Sequence, residues 1–123
     1  MRRRGITQSV VRRLALALPE VVERSHFARP DFRVRNKIFA TLPPDRLTVV
    51  LKSLPANVDA LVASDSSTFW NEWRGRWVGV RLDRIGLPLL RTLIADAWMV
   101  VAPRRLAAAG PVGASGRGGR RAQ

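Results

Sequence analysis

Apolar residues recur every four positions at Ile6, Val10, Leu14 and Leu18, with Val11 and Ala17 widening the stripe. That period predicts an amphipathic helix over residues 7–18, stopped by Pro19, with Arg12 and Arg13 off the apolar face and in water. From residue 32 the period shortens. Phe32-Arg33-Val34-Arg35 alternates apolar and charged side chains, and the runs Lys37 to Thr41 and Arg46 to Lys52 are rich in β-branched residues, so three strands are expected. Pro30-Asp31 and Pro43-Pro44-Asp45 supply turn chemistry around them, and such short spacings imply antiparallel hairpins. Pro55 then opens a short helix to Ala63, with Val58, Leu61 and Val62 on one face. Trp77 to Leu82 reads as a further strand. After Gly86, Leu87 and Pro88 comes the strongest helical pattern, in which Leu90, Leu93, Ile94, Ala97, Trp98 and Val101 share one face that ends near Pro103. This order predicts an α+β two-layer domain, an antiparallel sheet of about five strands with helices packed on one face.

With 123 residues there is room for one core, and 46% hydrophobic against 25% charged residues is the balance of a folded domain. The expected organisation is a basic arm over residues 1–5, a single domain over 6–105 and a disordered Gly/Arg-rich tail over 106–123, where little remains to bury. The apolar runs at Leu14 to Leu18 and Ala97 to Ala102 are too short for a signal peptide or a membrane span, so a cytoplasmic protein is expected, without a membrane partner. Of the net charge of +13, ten units come from five arginines in residues 1–13 and five in residues 104–123, stretches that hold no acid. Between residues 14 and 103, twelve basic side chains face nine acidic ones. The strong basicity therefore belongs to the ends. It attracts polyanions without selecting among them, and a compositional preference for arginine explains it equally well.

The absence of cysteine excludes thiolate catalysis, Cys-ligated zinc and disulfide scaffolds. His26 is the single histidine; Glu23, Ser25 and Asp31 lie near it in sequence, but no nucleophile motif does, and it reads as a strand-end or partly buried residue. Scattered carboxylates give no metal-ligand spacing, and the glycines of 113–119 lack the end of a phosphate-binding loop. No enzyme, metal or cofactor is expected.

Basic residues carry the remaining signal. Arg29, Arg33, Arg35 and Lys37 form the densest cluster, opposed by Asp31. If one strand runs through them, Arg33, Arg35 and Lys37 project together as a ribbon that can contact phosphates or base edges; a turn at Asn36 would break the set. A solvated strand that protects a sheet edge is the competing reading. Phe69, Trp70, Trp73 and Trp77 gather around Arg74, Gly75 and Arg76 in an aromatic and arginine loop, suited to stacking on bases. Trp77 is expected first of all to close the core, whereas Trp70 and Trp73 are left open. One Arg-Gly-Gly, at Arg117 to Gly119, resembles segments that bind single strands without sequence preference.

Leu18-Pro19-Glu20, Phe32 to Val34, Lys37-Ile38-Phe39-Ala40, Val50-Leu51-Lys52 before Pro55, Trp77-Val78 with Val80, Leu82 and Asp83, and a last helix holding Ala97-Trp98 follow one another over residues 7 to about 105. In order and spacing they resemble the MmcQ/YjbR family of small bacterial proteins. Arg76 stands where members often carry histidine, and Trp98 where they often carry tyrosine. The resemblance implies a frataxin-like α+β fold. It also implies DNA binding, a label the family draws from similarity to a double-wing domain, which is analogy at the level of fold. Frataxins bind iron through an acidic ridge; Arg12, Arg13 and the lack of any carboxylate before Glu20 disfavour that here. The expectation is a DNA-binding protein that contacts phosphates through Arg29, Arg33, Arg35, Lys37, Lys52, Arg74, Arg76 and Trp77. The alternative is a non-catalytic protein-interaction or structural module.

Overall fold

A computed structural model describes residues 5–113, in the element order α1 (Gln8–Leu16), β1 (Val21–His26), β2 (Arg29–Val34), β3 (Lys37–Thr41), β4 (Thr48–Lys52), α2 (Pro55–Ser64), β5 (Phe69–Glu72), β6 (Trp77–Arg81), α3 (Leu87–Val101) and α4 (Arg104–Gly113). The strands make one six-stranded sheet in the order β1-β2-β3-β4-β6-β5. Every neighbouring pair is antiparallel. Two-residue connections at Phe27-Ala28 and Arg35-Asn36 reverse the chain, with φ of 50° and 61° in the first and 51° and 70° in the second. Both central residues are left-handed, as the turns that match the twist of a hairpin require. The α2 helix carries the chain to the far edge, and β6 folds back between β5 and β4.

Cross-strand partners share a face, so the register divides the sheet into two surfaces. Phe32 and Ala40, Leu51 and Val78, and Val49, Val80 and Phe69 pair on one side. There α1 packs on β1 and β4, α3 on β3 and β4, and α2 on β5 and β6. Trp98 is wholly buried in this core, and its indole N–H donates to the Pro19 carbonyl at 3.0 Å. The predicted face of α3 is realised, with Leu90, Ile94, Ala97, Trp98 and Val101 all buried.

Several expectations change. The first helix turns its centre inward through Val11 and Ala15, which are fully buried, while Ile6, Leu14 and Leu18 flank the contact. Two strands were not legible: β1, whose residues are mostly exposed on an edge, and β5, which occupies Phe69–Glu72 where an aromatic loop was expected. The first residues of the expected tail belong to a short helix. Residues 104–113 are assigned to α4, interrupted by a left-handed Gly110 (φ 82°) ahead of Pro111, and Leu106 packs against the core. Arg, Leu and Ala are strong helix formers, and one apolar contact anchors the segment. The arm of residues 1–4 and the Arg-Gly-Gly segment lie outside the described residues.

Candidate functional site

Among the described residues no helix covers the second surface of the sheet. This surface begins at the β1–β2 hairpin, where His26 and Arg29 are cross-strand partners, and runs across Asp31 and Thr41, then Val50 and Gly79, to Trp77 and Glu72. Near its middle is a depression of 280 Å³. Ile38, Thr41 and Val50 line it together with His26 and Arg29 from one end, and Glu72, Trp73 and Trp77 from the other. One end thus offers a guanidinium and an imidazole, and the other aromatic rings.

Asp31 organises the first end. Its side chain is fully buried, and its carboxylate accepts Arg33 Nε at 2.7 Å, Arg33 Nη2 at 3.0 Å and a contact from His26 Nδ1 at 2.6 Å. Burial pushes this carboxyl upward. The hydrogen bonds and positive charge of Arg33 and His26 outweigh that push and hold it below the usual carboxylate range. The Arg33 guanidinium is in turn raised by its bond to Asp31, and it also donates to Asn36 Oδ1 at 2.8 Å. Arg29 Nη2 donates to Thr41 Oγ1 at 3.1 Å, while Arg29 Nε is buried with no hydrogen-bond partner.

The aromatic end rests on a close approach of backbone and ring. Trp70 lies across Gly79, where a Cβ would stand 2.0 Å from the indole, and its Nε1 donates to Glu72 Oε2 at 2.6 Å. Lys52 Nζ sits 4.9 Å from the centre of the Trp77 ring. Trp73 is 70% exposed at the head of a loop in which Trp73, Arg74 and Gly75 all have positive φ (40°, 60° and 74°). The Gly75 N–H donates to Asn71 Oδ1 at 2.8 Å, which fixes the loop, and Arg74 and Arg76 are exposed on it.

The expected basic ribbon does not exist. Arg35 and Asn36 form the turn between β2 and β3, so Arg33, Arg35 and Lys37 do not lie on one strand. Arg33 is engaged by Asp31 on the open surface, Arg35 is paired with Glu20 at 2.8 Å, and Lys37 pairs with Val34 at the helix-covered side. Arg35 is raised by the hydrogen bond and charge of Glu20, and Glu20 is lowered chiefly by the bond from Arg35. Arg29, Lys52 and Trp77 do come together on the open surface, and among the described residues neither Arg29, Lys52, Arg74 nor Arg76 makes an ion pair. Trp77 is half-buried there and does not close the core. Of the lining residues, Arg29 and Trp77 were among those assigned from the sequence, and His26, Ile38, Thr41, Val50, Glu72 and Trp73 were not. The alternation at residues 69–72, with Phe69 and Asn71 on one face and Trp70 and Glu72 on the other, was the available signal for β5. Among the described residues no group of three His, Cys, Asp or Glu side chains could hold a metal ion, and no helix is long and apolar enough to cross a membrane.

No curated protein matches this chain. The crystal structure of the Deinococcus radiodurans protein DR2400, which carries the DUF419 family-model domain, is similar in fold, with a TM-score of 0.70, 22% sequence identity and 80% of each chain covered. The YjbR family model matches residues 16–100, from the end of α1 to the last turn of α3, and so takes in every residue that lines the depression. The chain belongs to the YjbR family.

Proposed function

We propose that this protein is a non-catalytic binding module that takes unpaired DNA across its open sheet surface. The observation that carries the reading is the meeting, on one helix-free face, of Trp73 and Trp77 with Arg29 and Lys52, flanked by Arg74 and Arg76. Indole rings offer stacking surfaces to bases of any sequence, worth about 1–3 kcal/mol per base, and cations beside them meet the phosphates. A duplex hides its base faces, so the rings favour a single strand over the duplex that a basic ribbon would suit. The open surface is also the face on which the carboxylate of Asp31 is already neutralised by Arg33, which leaves Glu72, bonded to Trp70, as the acidic group at the depression.

The test is fluorescence anisotropy of a labelled single-stranded oligonucleotide titrated with the full chain at several salt concentrations. Affinity is expected to fall with salt by about 0.7 log units per log unit for each phosphate neutralised. Trp73→Ala, and separately Arg74→Ser with Arg76→Ser, should weaken binding about tenfold. Replacing Arg117, Arg120 and Arg121 by serine should flatten the salt dependence and leave binding in place. If the tail substitutions abolish binding and the sheet-face variants bind like the parent, a polycationic tail is responsible and the surface is not the interface.

A further inference from the structure

We infer that the depression is a pocket for a single nucleotide, with the phosphate at the Arg29 end and the heteroaromatic ring against Trp73 and Trp77. The inference deepens the reading of this surface as a strand-binding face, and it stands on observations of its own. Arg29 Nε is buried without a partner, although its Nη2 is anchored on Thr41. Arg29 lines this end of the depression and, among the described residues, is paired with no carboxylate, so an anion entering there would meet a positive charge that nothing has neutralised. His26 lies next to Arg29 as its cross-strand partner. Its Nδ1 is engaged by the buried Asp31, so the ring is oriented and Nε2 is the nitrogen left for a second contact.

The opposite wall suits a ring. Trp77 is held under Lys52, and Trp73 stands at the mouth on a loop fixed by Asn71. Ile38 and Val50 line the space between the two ends with apolar surface, which suits a flat ring and offers a phosphate nothing. At 280 Å³ the depression is slightly smaller than ligand pockets, which run from about 300 Å³ upward, a size that matches one nucleotide seated with part of its surface open to water. The shared chemistry is a phosphate ester next to a planar heterocycle. A free nucleoside monophosphate and the phosphorylated end of a strand both present it.

The experiment follows tryptophan fluorescence of the full chain during titration with a nucleoside monophosphate, the matching nucleoside, inorganic phosphate, and an oligonucleotide with and without a terminal phosphate. The monophosphate should bind at least about tenfold more tightly than the nucleoside or phosphate alone, since the Arg29 guanidinium meets the anion while the rings meet the base. Arg29→Met, which keeps the apolar stem, should remove that advantage; Arg29→Lys keeps the charge and should recover part of it, and Lys37→Met should change nothing. Thermal melting checks that each variant is folded. Equal affinity for nucleoside and monophosphate, or a folded Arg29→Met that binds the monophosphate like the parent, overturns the pocket. If the oligonucleotide binds but the monophosphate neither binds nor competes, the pocket falls while the strand-binding surface stands. Should the monophosphate bind while the unphosphorylated oligonucleotide does not, the pocket stands and the strand-binding surface falls. Tighter binding of the phosphorylated oligonucleotide supports the pocket and identifies a strand end as its source of ligand.

Discussion

Asp31 has no exposed surface, yet it carries a charge that three nitrogen contacts compensate. Removing one partner of a buried pair leaves the other uncompensated, so Asp31→Ala should lower stability by about 3 kcal/mol, measured by urea unfolding. The pH dependence has a definite sign. Because the folded carboxyl lies below its unfolded value, the unfolded chain binds protons first on acidification. Its contribution is therefore complete above the unfolded value of about 3.9 and is lost as pH falls through the lower folded one. Glu20, Asp65 and Asp83 are lowered in the same direction, by bonds from Arg35, Thr68 and Arg81 respectively, so acid loss should persist in part in Asp31→Asn but with a shallower slope. An unchanged slope in that variant would mean that the exposed carboxylates dominate. In the sequence, Asp31 looked like turn chemistry next to Pro30. What makes it an organiser is register, which places it between His26 and Arg33 on a surface that no local pattern reveals.

At the scale of elements, the open surface depends on β6 lying between β4 and β5. That order puts Gly79 beneath Trp70, and the ring occupies the space where a side chain would stand. Gly79→Ala should therefore displace the indole and break its bond to Glu72, at a cost of about 2 kcal/mol. In a Trp70→Ala background the same substitution should cost little, because the obstructing ring is gone. A double-mutant cycle in urea checks this, and additive losses would show that Gly79 is needed for its backbone and not for the ring. Helices α2 and α3 were readable from the 3.6-residue period, as were strands β3 and β4 from their β-branched runs. Strands β1 and β5 were not. Each is an edge strand whose pairing partner supplies the hydrogen bonds, and the exposed Val22-Glu23-Arg24-Ser25 stretch has no apolar alternation to report. The turn at Arg35-Asn36 was foreseeable as a hazard to the basic ribbon, and it is the element that removes it.

For the molecule as a whole, charge is the dominant long-range quantity. Residues 5–113 hold sixteen basic and nine acidic side chains, and four of the arginines, Arg12, Arg33, Arg35 and Arg81, are matched to carboxylates. The excess repels itself, so raising sodium chloride from about 10 mM to about 300 mM, which shortens the screening length from roughly 30 Å to below 10 Å, should raise Tm by a few degrees. A fall in Tm would indicate that the ion pairs outweigh the repulsion. The sequence by itself determined the layers: apolar periods mark which face of each helix must be covered, and burial of those faces leaves an antiparallel α+β sandwich as the solution. It also determined the charge and the absence of cysteine chemistry. Only the tertiary structure decided which basic residues are spent on neighbouring carboxylates and which remain on the open surface. That assignment depends on strand order, turn position and register, and these bring together residues as distant as His26 and Trp77 through hydrogen bonds between strands, which leave no trace in the local spacing of side chains.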